Sequence, residues 1–366
     1  MQVIPKKCLA VCFAAILVVQ VLDAGSARTA DLKHNLTVVV VGDTGIGERG
    51  YHSGFEAVQK AMAKLGADVL LHLGDFVYQP EMFPDTCNRD YIREIRETLV
   101  DPYPSRLFVL GDNDLPPMKW KPKASGCWKH IDPLDTPFDS FPEPGPAAYE
   151  GTKVFGNVLF AILNTHPWND PTSWLQPRIE QARRDGLWII VALHEPAVTT
   201  AWFLDKRKTV FKQVNALKPD LVFAGNQHSY ERFKPLGDPL EGGALSVAQS
   251  ESKTYVRGQG VIHIVSGGGG ATFKPFADMQ GMEKRTAPKD VFDALAVRAL
   301  INHFVLLEFS TDAVQGKTFR VCAENSEGKN PRWKPKKKDW KAITLPCDGQ
   351  PAGVALFDRF SLQRKN

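Results

Sequence analysis

Thr37-Val38-Val39-Val40-Val41-Gly42-Asp43 is a short β-branched run that stops at a carboxylate. Runs of this length and composition, bounded by turn residues, form buried strands. The same pattern recurs along the chain. Val69-Leu70-Leu71-His72-Leu73 meets Gly74-Asp75, and Leu107-Phe108-Val109-Leu110 meets Gly111-Asp112. Trp188-Ile189-Ile190-Val191-Ala192-Leu193 meets His194, and Leu221-Val222-Phe223-Ala224 meets Gly225-Asn226-Gln227-His228. Sites in open sheets form beyond the carboxyl ends of strands. A single Gly-Asp there is an ordinary strand-ending turn. The recurrence instead aims several carboxylates, imidazoles and an amide at one place. Crowded carboxylates repel unless a cation joins them. Asp, His and Asn with no clustered Cys suit a hard or borderline ion such as Fe, Mn or Zn.

The rest of the composition is that of a globular protein. Of 366 residues, 43% are apolar and 23% charged, which allows one large domain or two. The net charge of +4 is small and dispersed and gives no case for nucleic acid. Lys334-Pro335-Lys336-Lys337-Lys338 reads as a solvated loop. Residues 1–27 have the layout of a secretory signal: Lys6 and Lys7, an apolar core from Leu9 to Leu22, then Ala24-Gly25-Ser26-Ala27. That core is shorter than the ~20 residues of a membrane span, and no later stretch reaches that length. A secreted or periplasmic location is therefore expected. Cys8 and Cys12 fall within the signal. Cys87, Cys127, Cys322 and Cys347 remain, an even number that suggests two disulfides in an exported chain. Sequence proximity favours Cys87 with Cys127 and Cys322 with Cys347.

Between the strand runs, Ser53 to Leu65, Tyr91 to Val100, Pro177 to Arg184 and Lys208 to Leu217 show helical spacing. Further strands are expected at Val154 to Asn164, Gly260 to Ser266 and His303 to Phe309. The alternation predicts an α/β fold. Its main domain would span residues 31–310, followed by an irregular, disulfide-stapled extension over 311–366. Gly45-Ile46-Gly47-Glu48-Arg49-Gly50 fits the spacing of a dinucleotide-binding turn. That reading leaves Asp112, His194 and His228 without a role and is set aside. The run Gly267 to Gly270 reads as a flexible turn.

The ordered set Asp43-Thr44-Gly45, Gly74-Asp75-Phe76-Val77-Tyr78, Gly111-Asp112-Asn113-Asp114, His194 and Gly225-Asn226-Gln227-His228 resembles the calcineurin-like metallophosphoesterases. It is most similar to their purple acid phosphatase branch, and His228-Ser229-Tyr230-Glu231-Arg232 adds to that likeness. The resemblance implies a four-layer αββα sandwich with two mixed β-sheets. It also implies two metal ions, Fe at the first site and Fe, Mn or Zn at the second. The first ion would be held by Asp43, the bridging Asp75, Tyr78 and His228. The second would be held by Asp75, Asp112, His194 and Asn226. Three positions depart from the family pattern. Asp112 replaces Asn, Asn226 replaces His, and Asn113 replaces the His beside the leaving group.

Asn226 is a weaker ligand than imidazole, so a looser second ion is expected. Asn113 cannot act as a general acid but could bind the phosphoryl group. His166, at the end of another expected strand, is the candidate substitute proton donor; the alternatives are a water in that role and an ordinary hydrogen-bonded loop histidine at 166. Asp114 would orient His194 or a neighbour. The resemblance thus implies an exported phosphoester hydrolase acting on a phosphorylated small molecule or protein. Two ions about 3.5–4 Å apart would activate water for attack on phosphorus. The rival expectation is a protein of the same fold whose weakened second site leaves a phosphate- or partner-binding role.

Overall fold

The computed structural model of the chain describes residues 35–44, 52–76, 93, 96–115, 119, 138–142, 149–251, 253–271, 273–322 and 353–365. The described strands form two sheets of seven. One sheet runs β3 (Ser105–Phe108), β2 (Val69–His72), β1 (Leu36–Val41), β12 (His303–Phe309), β13 (Ala313–Cys322), β14 (Gly353–Gln363) and β9 (Thr254–Val256). The other runs β11 (Leu295–Ala299), β8 (Tyr230–Phe233), β10 (Ile262–Ser266), β7 (Leu221–Ala224), β6 (Trp188–Leu193), β5 (Val158–Ile162) and β4 (Gly151–Phe155). Both are mixed. In the first, β1, β2 and β3 run parallel, with β12 antiparallel on β1. In the second, β5, β6, β7 and β10 run parallel, flanked by antiparallel β4 and β8.

Strand periodicity explains the layering. Successive side chains of a strand face opposite ways, so a strand between two layers must be apolar on both faces. Val38 and Val40 of β1 meet Phe160 and Ile162 of β5 in the core between the sheets. Val39 and Val41 turn the other way, onto Phe55, Val58 and Met62 of helix α1 (His52–Ala63). Leu159 and Ala161 of β5 turn outward onto Leu175 and Ile179 of α2 (Thr172–Arg184) and Val214 of α3 (Lys206–Ala216). Helix, sheet, sheet and helix thus make the expected four-layer sandwich. No described helix is long and apolar enough to cross a membrane.

Several expectations are corrected. The strand expected over Val154 to Asn164 is a hairpin, β4 and β5, turned at Gly156, whose φ of 53° suits glycine. The helix expected over Tyr91 to Val100 is helical at its described residues, but Arg96–Val100 is wound as a π-helical turn. The extension expected to be irregular over 311–366 contributes β13 and β14, which pair along their length inside the first sheet. Its described part therefore continues the main sheet. The signal was hidden because the inward face of β14 carries Asp358 between exposed and apolar positions, breaking the alternation. Asp358 is matched from the facing sheet. Arg232 donates to it at 2.7 and 3.0 Å, Tyr230 donates to it at 2.8 Å, and Arg232 also donates to the Tyr255 hydroxyl at 2.6 Å. Tyr230 and Arg232, quoted for the family likeness, thus tie the two sheets together. The readings on residues 1–27, Gly45–Gly50, Tyr78, Cys87, Cys127, Lys334–Lys338 and Cys347 lie outside the described residues.

Candidate metal centre

The parallel strands of both sheets end on one side, and that is where the chemistry-bearing residues gather. Asp43 lies two residues past β1 and Asp75 three past β2. His194 directly follows β6. Ligand atoms of these three buried residues all lie within 4.8 Å of one another. The grouping widens on both flanks. His228 Nε2 is 3.2 Å from Asp43 Oδ1, and Asp112 Oδ1 is 3.3 Å from His194 Nε2.

The backbone is shaped to allow this. Asp43, Asp75 and Asn226 hold left-handed φ values of 54°, 55° and 63°. Asp and Asn bear that conformation better than most side chains, but it is still uncommon. Such departures concentrate at functional sites. The glycines before them answer to space as well. A Cβ on Gly74 would come within 2.6 Å of the Gly111 nitrogen and 2.7 Å of His194 Nδ1. One on Gly225 would come within 2.7 Å of Asp43 Oδ2.

His194 shows what the site is built for. Its Nδ1 lies 2.7 Å from the Leu73 carbonyl, which can only accept, so Nδ1 carries a proton. That contact crosses between the sheets and fixes the ring. Nε2 is fully buried. It faces Asp112 at 3.3 Å and Asp75 at 3.5 Å. A histidine anchored through one nitrogen with the other turned toward carboxylates is the arrangement that orients an imidazole for a metal. Burial pulls the His194 pKa down, but Asp75, Asp112 and Asp43 raise it well above its ordinary value. Burial pushes the Asp75 carboxyl up, while His194, Lys274 and Asn113 hold it below the usual range. Concentrated negative charge around a lone imidazole nitrogen fits a cation, so the residues present suit the family's metals.

The other predicted residues fall in definite places. Asn113 donates to Asp75 from its backbone N–H at 2.9 Å and from its side chain at 2.6 Å. Its amide is therefore turned to the carboxylate. Asp114 is fully buried and accepts from the backbone N–H groups of Asp75, Phe76 and Gly111 at 2.7, 3.1 and 2.9 Å. It holds the turn that carries Asp75, a neighbour of His194, from behind. Asn226 joins the centre through its backbone, whose N–H donates to Asp43 Oδ2 at 2.7 Å. Its side-chain oxygen lies 3.4 Å from Lys274 Nζ.

His166 sits beside His194, ring centroids 6.2 Å apart, with Glu195 Oε1 4.0 Å from its Nε2. Burial and His194 push its pKa down against the pull of Glu195, Asp112 and Asp75. His72 is packed behind the centre, near Thr44 and between Phe76 and Phe108. Two nearby residues were not anticipated. Glu195, paired with Lys206 at 2.7 Å, adjoins His194 in the chain, and that adjacency was a usable signal. Lys274 had none, because a single lysine in a loop has no pattern.

Residues 36–230 match the calcineurin-like phosphoesterase family, and the chain belongs to it. An uncharacterized protein of Mycobacterium tuberculosis is 32% identical over 111 residues, 28% of this chain and 21% of that protein. The "probable inactive purple acid phosphatase 27" of Arabidopsis thaliana is 23% identical over 279 residues, 66% of this chain and 43% of that protein. The chain thus spans less than half the length of these relatives. Among solved structures, the purple acid phosphatase PPD1 of yellow lupin seeds superposes with a TM-score of 0.57 at 15% identity, covering 91% of this chain and 54% of that one. PhoD superposes at 0.55 with 12% identity, covering 92% and 71%. At such identities the likeness shows the fold alone.

Proposed function

We propose that this chain is an exported, metal-dependent phosphoester hydrolase. The observation that carries the reading is the buried His194 Nε2 gathered with the carboxylates of Asp43, Asp75 and Asp112. Asp43, Asp75, Tyr78 and His228 would hold one ion, with Fe as the expected metal. Asp75, Asp112, His194 and Asn226 would hold the other, as Fe, Mn or Zn. Ions bound there would supply Lewis acidity and an activated water for attack on a phosphomonoester or diester.

The chain's own residues do the positioning. Asn113 and the backbone bonds of Asp114 hold the Asp75 carboxylate between the two half-sites. His166, beside the centre and outside the proposed ligand set, donates the proton to the leaving oxygen. A His166→Gln variant should turn over an alkyl phosphate about 100-fold more slowly, yet change little on a nitrophenyl ester, whose leaving group needs no proton. Export is supported by the basic start and apolar core of residues 1–27. A Cys322–Cys347 pairing is supported by the disulfide-bonded state of Cys322.

A second reading has its own support. The Asn113 amide is engaged by Asp75, the Asn226 side chain lies against Lys274, and the relative from Arabidopsis is named as inactive. On that reading the chain binds phosphate or a partner without turnover. Metal analysis combined with hydrolysis of a chromogenic monoester and diester separates the two. Two ions with turnover supports the hydrolase; one ion or none without turnover supports the binder.

A further inference from the structure

We propose that Lys274 is a substrate-contacting residue, a fixed cation that receives the phosphoryl group on the Asn226 side of the centre and favours dianionic monoesters over diesters. This rests on the hydrolase reading above.

The glycine run before Lys274 is what delivers it. Gly267 to Gly270 are buried and packed, not the flexible turn expected from composition. A Cβ on Gly267 would strike the Gln227 carbonyl and lie 2.7 Å from Asp43 Oδ2. One on Gly268 would strike the His303 ring, and one on Gly270 would lie 2.7 Å from the Phe55 backbone. Gly269 N–H donates to Gly42 O at 2.9 Å and Ala271 N–H to Asp43 O at 3.0 Å. The segment leaving β10 is thus laced to the residues that carry Asp43, and it emerges at Lys274.

Lys274 reaches back to the centre. Its Nζ donates to the Asn226 carbonyl at 2.7 Å and lies 3.4 Å from Asn226 Oδ1. Asn226 in turn donates to Asp43 Oδ2. The side chain is exposed, so a ligand can reach it. An ammonium has three N–H donors and no acceptor, and two directed at Asn226 leave a third for an incoming oxygen. The placement also answers a chemical deficit. Asn226 stands where the family has a histidine, so the ion on that side has a weaker ligand set. A fixed ammonium at that edge adds positive charge where the phosphoryl oxygens must sit. A monoester dianion carries more charge to meet it than a diester monoanion, which gives the preference.

The test uses the full, metal-loaded protein as wild type, Lys274→Gln and Lys274→Arg. Gln can still donate to the Asn226 carbonyl but has no charge, so it separates a structural cap from a cation. The readouts are inorganic phosphate binding by calorimetry, kcat/KM on p-nitrophenyl phosphate and bis(p-nitrophenyl) phosphate, and metal content. Lys274→Gln should keep its metals and weaken phosphate binding by about 10–100-fold, as expected for a lost charge-assisted hydrogen bond. Monoester kcat/KM should fall by a similar factor while the diester value stays within about threefold, and Lys274→Arg should recover most of the loss. Unchanged phosphate affinity in Lys274→Gln, equal losses on both esters, or loss of metal would overturn the assignment. If wild type binds phosphate and turns over ester but Lys274→Gln matches it, only Lys274 loses its role. If wild type does neither, the hydrolase reading fails and Lys274 fails with it.

Discussion

Two buried clusters of charge in this protein are settled in opposite ways. Between the sheets, Arg232 and Asp358 meet in a two-point ion pair, with Tyr230 and Tyr255 completing their hydrogen bonds. Burial works against the Arg232 charge, yet Asp358 outweighs it and holds its pKa above the ordinary range. At the strand ends, Asp43, Asp75 and Asp112 gather around His194 and His228. The first cluster is complete within the chain. The second gathers more carboxylates than it has fixed cations, and so suits an added cation. Buried charge that pairs internally holds a fold together, whereas buried charge of one dominant sign marks a place for a ligand.

The sharpest way to break the contrast is at Asp75. Asp75→Asn should lose both metals and lower turnover by about 1000-fold, read by metal analysis and steady-state kinetics. Its metal-free melting temperature should fall less than that of the inter-sheet variant. Full activity with one bound metal would refute a bridging role. The converse change is Asp358→Asn, which leaves Arg232 buried without its carboxylate. A loss of about 3–5 kcal/mol is expected in denaturant unfolding. Metal binding of the folded fraction should be unchanged, and adding Arg232→Met should recover part of the loss.

Asn226→His sharpens the comparison by restoring an imidazole to the weaker half-site. The second ion should bind about 10–100-fold more tightly, measured by titration against a chelator. No change in affinity would mean that the position 226 side chain does not reach the ion.

The smallest effect concerns a third way of burying a titratable group, which is to keep it neutral. His263 lies under Phe211 with Nε2 3.3 Å from Asn215 Oδ1, and burial pushes its pKa down to about 3. The unfolded chain takes up this proton near pH 6.5 and the folded chain does not. The neutral imidazole's contribution is thus fully present above pH 6.5 and fades as pH falls toward 3. It declines by at most about 1.4 kcal/mol per pH unit. His263→Gln should flatten that slope in thermal melts between pH 7 and 5; parallel slopes would exclude His263 as the source.

Much of this architecture was legible because it is written locally. Val38 to Val41 must be apolar on both faces to lie between a helix layer and a second sheet, and such runs are visible in any sequence. Asp43, Asp75, Asp112, His194 and His228 each stand just past such a run, so the parts of the centre could be assembled from strand ends. β14 was missed because a buried ion pair occupies its inward face. Which neighbour Asp114 holds was not legible, since a side chain's bond to backbone N–H groups 38 and 39 residues away leaves no trace in composition.

The amino-acid order by itself determined the layer type, the residue chemistry at the strand ends and the departures at Asp112, Asn113 and Asn226. Those follow from periodicity and residue identity, which are local properties. Only the tertiary structure decided that Arg232 meets Asp358 across 126 residues and that Lys274 meets Asn226 across 48. Such contacts depend on which strands become neighbours and how tightly their ends pack. That is fixed by the sum of many burials across the whole core, not by any stretch short enough to carry a pattern.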